Sequence, residues 1–164
     1  MQQGRYIVAD FGKTLAKLTL WSGDGMCLAR ETRPNTTPHC RDYAALDVDG
    51  IADWLIETLK SFATHPVEAI IPVSHGAAVV GLRDNALAFP PLDYEHPIPD
   101  AALTAYRAQR DAFSITGSPA FPQGLNIGSQ LHWLETLHGE DFRAATLLPY
   151  AQYWAWFLSG NAVS

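Results

Sequence analysis

The stretch Asp10-Phe11-Gly12-Lys13-Thr14-Leu15-Ala16-Lys17 gathers a carboxylate, a glycine, a hydroxyl and two ammonium groups. Each type has a use with a phosphate. Gly12 lets backbone N–H groups approach anionic oxygens, Thr14 can donate a hydroxyl hydrogen bond, and Lys13 or Lys17 can neutralise charge as it moves during phosphoryl transfer. Asp10 would hold magnesium, through water. An ordinary hairpin, with Gly12 serving the bend and the lysines solvated, uses the same residues without any chemistry. The turn by itself does not decide between the two.

The elements around this turn follow from local pattern. Arg5 to Ala9 is a short β-rich run ending at Asp10, and Leu15 to Trp21 alternates in side-chain character. Ser22-Gly23-Asp24-Gly25 then supplies residues tolerant of positive φ before Met26 to Thr32 resumes an extended pattern. The three runs predict an antiparallel meander. Asn35 to Tyr43 is polar and proline-interrupted, a connecting loop, after which Asp49 is expected to cap a helix running to Ala63. In that helix Ile51, Trp54, Leu55, Leu59 and Phe62 share one face, while Asp53, Glu57 and Lys60 turn to water. Val67 to Val73 is nearly continuous in apolar residues, which predicts a parallel, central strand covered on both faces. A right-handed crossover would lay it beside the first strand, with Ser74-His75-Gly76 at its carboxyl end, where ligand crevices open.

The second half differs in texture. Val79 to Arg83, an Asp84-Asn85 turn and Ala86 to Phe89 predict a hairpin, and Pro90 to Pro99 is a loop stiffened by proline. Helices are expected from Asp100 to about Arg110, around Ile127 to Leu137, over Asp141 to Ala145, and from Tyr150 to Leu158 with Gly160 as terminator. Tyr150, Tyr153, Trp156 and Phe157 fall on one helical stripe, the spacing of core packing rather than of a sugar-stacking platform. Trp133 and Leu134 read as core.

Composition narrows the function classes. Of 164 residues 48% are hydrophobic and 17% charged, which supports one packed core and excludes disorder as the main state. With 11 Lys+Arg against 17 Asp+Glu the net charge is -6, and no basic run offsets it, so nucleic acid is not an expected partner. Two cysteines, Cys27 and Cys40, are too few for a disulfide scaffold and suit a reducing, cytoplasmic setting. The histidines form no H-x-x-x-H pair, and nothing predicts a membrane span or a secretory signal.

Four segments together resemble the FGGY carbohydrate kinases: DFGKTLAKLTL at Asp10 to Leu20, PVSHGAAVVGLRDN at Pro72 to Asn85, TGSPAFPQGLNIGSQLHWLE at Thr116 to Glu135 and LLPYAQYWAWFLSGNAVS at Leu147 to Ser164. The strand, Asp-x-Gly-x-Thr turn, two strands, helix and buried strand are in the order of the ribonuclease-H-like half shared by sugar kinases, actin and Hsp70 chaperones. The resemblance implies an α/β, ribonuclease-H-like (actin-like ATPase) domain, with the meander, parallel strands and flanking helices, and incomplete at its carboxyl end. It also implies that Asp10, Gly12, Lys13, Thr14 and Lys17 contact ATP phosphates and that Asp10 serves Mg2+; Lys13 and Leu15 depart from the family's small residues at these points. Ser74-His75-Gly76 is similar to the family's sugar-contacting turn, which makes His75 the leading substrate ligand, its imidazole donating to or accepting from a sugar hydroxyl. Asp93 matches an Asp of the family's Trp-x-Asp-x-Arg pattern, with Pro91 and Glu95 at the other two places. Tyr94 and His96 could line the same cleft. Gln130 stands where the family often has Lys.

Family members are about three times as long, with two ribonuclease-H-like domains around the cleft. The chain therefore reads as residues 1–164 of an amino-terminal kinase domain, a fragment of a longer two-domain polypeptide, with the general base expected beyond Ser164 and Trp154 and Trp156 expected to meet absent segments. The implied activity is ATP-dependent phosphorylation of a sugar or polyol hydroxyl, with a small-molecule sugar or polyol as partner and homo-oligomers known in the family. The alternative is a non-catalytic nucleotide- or sugar-binding module acting through a partner.

Overall fold

The computed structural model describes residues 4–62 and 66–162. The chain divides into two compact units, rather than forming the single core that its length favours. One comprises Met1–Pro38, Leu46–Gly76 and Tyr150–Ser164, the other His39–Ala45 and Ala77–Pro149.

The first unit is built on the predicted meander. Strands β1 (Arg5–Phe11), β2 (Leu15–Ser22) and β3 (Cys27–Pro34) pair antiparallel in sequence order, and β4 (Ala69–Ser74) joins β1 in parallel, giving the order β3-β2-β1-β4. The register is set by apolar pairs. Ile7 lies opposite Leu20, Ala9 opposite Leu18 and Phe11 opposite Ala16, and all six are buried. Because side chains alternate faces, this pairing puts Asp10 opposite Lys17 on the other face of the same two strands. Helix α1 (Val48–Phe62) packs on β2 and β3 through Val48, Ile51, Leu55, Thr58 and Phe62, with Asp53, Glu57 and Lys60 exposed as expected. Its cap is Asp47 and not Asp49: the Asp47 carboxylate accepts the Gly50 N–H at 3.2 Å, whereas Asp49 lies within the first turn. Ala63, the expected last residue of this helix, lies outside the described residues.

One expectation is overturned at β4. The strand is parallel to β1, but it is the edge of this sheet, and Ile70, Ile71 and Val73 are 36%, 45% and 44% exposed. An apolar run reports what a strand could bury, and the described residues place no strand on its outer side. Helix α6 (Tyr150–Ser159) packs against β4 and returns the chain to this unit; Gly160, at φ +74°, ends it by donating to the Trp156 carbonyl at 2.7 Å. Tyr150 and Tyr153 are buried, as their stripe predicts. So is Trp154, which stacks on Phe11 with ring centroids 4.1 Å apart and is thereby a core residue here rather than a partner for absent segments.

In the second unit β5 (Val79–Arg83) and β6 (Ala86–Leu87) form the expected hairpin, with Asp84 and Asn85 both at positive φ, the conformation a two-residue turn demands. Strand β7 (Thr146–Pro149), absent from the sequence reading, pairs with the other side of β5. Helices α2 (Asp100–Gln109), α3 (Phe113–Thr116), α4 (Ile127–His138) and α5 (Glu140–Ala144) complete it. Its core joins Tyr43, Ala45, Phe89, Leu92, Ile98, Trp133 and Leu134. Both cysteines are free thiols, and no helix among the described residues is long and apolar enough to cross a membrane.

Candidate functional site

The residues between β1 and β2 form a tight, partly exposed turn. Gly12 donates its N–H to the Leu15 carbonyl at 3.1 Å, and a Cβ at position 12 would stand 2.8 Å from that same oxygen, so the turn closes this tightly only on glycine. Asp10 and Lys17, fixed opposite each other by the strand register, form an ion pair at 2.9 Å with side chains 41% and 36% exposed. Lys13 is half-buried and Thr14 exposed. All five residues expected to contact phosphate thus lie in this turn or on the strands that flank it.

Asn35, which sequence reasoning passed over, clasps the turn from behind. Its side-chain amide donates to the Gly12 carbonyl at 2.9 Å and the Lys13 carbonyl at 3.3 Å, and its backbone N–H donates to the Thr14 carbonyl at 2.9 Å. Arg33 donates to the Asn35 side-chain oxygen at 2.9 Å and to Asp47 at 2.7 Å. Burial pushes the Asp47 carboxyl up, but hydrogen bonds from the Arg33 guanidinium and from Thr36, with the Arg33 charge, outweigh this and hold it below the ordinary value. Asp47, an aspartate just before an apolar-periodic run, is a cap candidate by residue type; nothing in the sequence marks Asn35.

Parallel pairing brings a second group of residues to the same end of the sheet. Phe11 is in register with Ser74, so the chain leaves β1 into Gly12 and leaves β4 into His75 side by side, and the Ser74 hydroxyl donates to the Phe11 carbonyl at 3.0 Å. His75 is half-buried, its ring centroid 5.2 Å from that of Tyr150. Burial raises the Tyr150 phenol far above its usual range, so this neighbour is a neutral hydroxyl. Gly76 is exposed, and a Cβ there would meet nothing within 4 Å.

Asp93 and Tyr94 belong to the second unit and are held by other contacts. Asp93 is 4% exposed; its N–H donates to the Ala44 carbonyl at 2.9 Å and its carboxylate accepts the Glu95 N–H at 3.0 Å, folding the loop on itself. The Tyr94 carbonyl accepts the Gly124 N–H at 3.0 Å, and a Cβ on Gly124 would come within 2.9 Å of that oxygen. His96 is a packing residue: its ring lies parallel to Trp133 at 5.9 Å and its Nδ1 accepts the Ala44 N–H at 3.2 Å. Gln130, noted in the sequence only as a missing charge, is fully buried and clamps the backbone, donating to the Ala77 carbonyl at 2.6 Å and to the Gly124 carbonyl.

No cluster of three His, Cys, Asp or Glu side chains that could cage a metal occurs among the described residues. A single carboxylate at an open turn, as at Asp10, nonetheless fits magnesium, which keeps several waters and takes further oxygens from phosphate.

No protein-family model matches the chain, and no curated protein does. Solved structures do. All of the chain is similar to a carbohydrate kinase from Novosphingobium aromaticivorans, at 53% identity and a TM-score of 0.95, and covers 35% of that protein. A xylulose kinase from Rhodospirillum rubrum matches 97% of the chain at 22% identity and a TM-score of 0.73, with 35% of its own length covered. A glycerol kinase from Plasmodium falciparum, solved with ADP, matches 94% at 8% identity and a TM-score of 0.73, with 34% covered; likenesses this distant speak for the fold alone. Over its whole length the chain resembles the carbohydrate kinases of the FGGY type, and it spans about a third of the length of the solved relatives it matches.

Proposed function

We propose that this chain is the part of an ATP-dependent carbohydrate kinase that grips the nucleotide's terminal phosphates and one side of the sugar, on a ribonuclease-H-like, actin-like ATPase framework in a cytoplasmic protein. The observation that carries the reading is the common exit of β1 and β4: the anion-suited turn at 12–14 and Ser74-His75-Gly76 leave the sheet at one end, in register. Phosphoryl transfer needs this proximity of donor and acceptor, because positioning and charge stabilisation supply nearly all of its catalysis.

In this reading the Lys13 and Thr14 amides and the Thr14 hydroxyl donate to phosphate oxygens. Lys17 exchanges its ion pair with Asp10 for the charge that develops on the transferring group. Asp10 would hold magnesium through water, and that ion, when bound, supplies neutralisation of phosphate charge. His75 orients a sugar hydroxyl, with Ser74 and Gly76 shaping its turn, and Asp93 and Tyr94 are the second unit's own candidates for polar contact with a sugar. The base that accepts the hydroxyl proton comes from another part of the polypeptide, so the 164-residue chain alone does not turn over.

The test is ADP release by the full-length polypeptide that carries this segment, given Mg·ATP and a panel of pentuloses, hexuloses, deoxy sugars, gluconate and glycerol. Sugar-dependent ADP release is the expected result, and Asp10→Asn is expected to lower kcat at least about 100-fold, the scale for removing a charge-stabilising group. A polypeptide that binds Mg·ATP or sugar by calorimetry yet releases no ADP with any of them is a binding module instead.

A further inference from the structure

We propose that Asn35 sets the direction of the amide dipoles in the 12–14 turn, and that Arg33 and Asp47 hold Asn35 in place, which makes Asn35 a positioning residue for phosphate recognition. The inference rests on the kinase reading above. Its basis is that three successive carbonyls, those of Gly12, Lys13 and Thr14, all end on this one residue.

A trans peptide points the C=O of one residue and the N–H of the next in opposite directions, and the described residues contain no cis bond. Drawing the Gly12 and Lys13 carbonyls toward Asn35 therefore turns the Lys13 and Thr14 N–H groups to the opposite side. Two adjacent amides aimed the same way form an anion-binding concavity. The carbonyl oxygens, which would repel a phosphate, are meanwhile engaged behind the turn. Asn35 thus acts on phosphate through backbone that it never leaves.

Its own orientation is determined by its partners. The side-chain nitrogen faces carbonyls, which only accept, and the side-chain oxygen faces the Arg33 guanidinium, which only donates. Arg33 reaches on to Asp47, 8% exposed, whose same oxygen accepts the Thr36 N–H at 3.1 Å while the other caps α1 through Gly50. The turn is in this way anchored to the start of a packed helix by a chain of charge-assisted hydrogen bonds. Asparagine is the side chain that fits, since an aspartate of the same size would set acceptor against acceptor at Gly12 and Lys13.

Steady-state kinetics of the full-length polypeptide, against Mg·ATP and against the sugar that the wild type phosphorylates, tests this on Asn35→Ala and Asn35→Asp, with thermal melts of each. Expected is a rise in KM for Mg·ATP of about tenfold for Asn35→Ala, as for loss of hydrogen bonding to a charged group, and more for Asn35→Asp, with KM for the sugar within about twofold of wild type. Leu55→Ala, which truncates the α1 core, reports what destabilisation alone does: a lower Tm without a split between the two KM values. Should both Asn35 variants fail to fold, Arg33→Lys, which keeps the charge but loses one arm of the fork, gives a smaller split in the same direction. A wild type active with sugar and ATP alongside variants whose two KM values move together, or do not move, overturns the inference and leaves the kinase reading standing. A wild type without sugar-dependent turnover removes both.

Discussion

The turn at 12–14 and the loop at 90–99 both carry candidate ligand residues, yet they are held by different forces. Polar groups hold the turn: the glycine closure, the Asn35 clasp and the charged relay through Arg33 to Asp47. The loop is held mainly by apolar packing, with Leu92 and Ile98 in the core of the second unit and His96 lying on Trp133. Under the proposed function the difference has a use: a turn that takes phosphate must present amides outward, which calls for fixed dipoles behind it, whereas a loop that takes a sugar needs a few side chains projected from a stiff base, as packed proline-rich backbone supplies.

The largest effect that separates the two is on the loop. Trp133→Ala removes a side chain 6% exposed that meets both His96 and Tyr43, and is expected to cost about 3–5 kcal/mol in urea unfolding. Amide exchange should quicken at Asp93 and His96 while the Asn35 amide, bonded to the turn, keeps its protection. Next in size is Asp47→Ala, expected to cost about 1–2 kcal/mol as a lost cap and to quicken exchange at Asn35 and Gly50 but not at Asp93. If each substitution loosens both regions equally, the distinction fails.

The smallest effect is that of pH, and it takes the regions in turn. Burial lowers the His138 pKa below its ordinary 6.5, the Asp141 and Asp42 charges only partly opposing this, and His138 sits stacked on Phe89 with Tyr43 bonded to its Nε2. The unfolded chain therefore takes up this proton first, so the contribution is present above pH 6.5 and is lost as pH falls through the folded value. Asp47, held below 3.8, contributes stability that is full above that value and is lost as pH falls through its lower folded pKa. Exchange near Phe89 should accordingly respond on acidification before exchange at Asn35 does.

The meander was legible because Gly and Asp mark the turn at Ser22 to Gly25 and the apolar alternation has a single consistent register. The hairpin at Asp84-Asn85 was legible for the same local reason. The turn at Asp10 to Lys17 was legible as a turn between two strands, its residue types suiting a phosphate or an ordinary hairpin alike. What was not legible depends on partners distant in sequence. The burial of β4 depends on what lies beyond its edge, and the four residues of β7 become a strand only by meeting β5 more than sixty positions earlier. Asn35 is an unremarkable loop residue until its bonds to Gly12 and Lys13 are seen, and Asp47 and Asp49 offer equally plausible caps until the helix selects one.

The first unit is closed by a stretch of chain far along the sequence from its meander. Phe11 and Trp154 stack across nearly the whole length of the sequence, and the chain leaves the unit at Gly76 and rejoins it at Tyr150. A ribosome delivering this polypeptide from its amino end finishes the local meander early, yet the lid on Phe11 cannot form until some 140 further residues have been made. The inserted unit, contiguous apart from His39–Ala45, has all its parts by then, so the order of synthesis favours its folding before the four-stranded sheet is sealed.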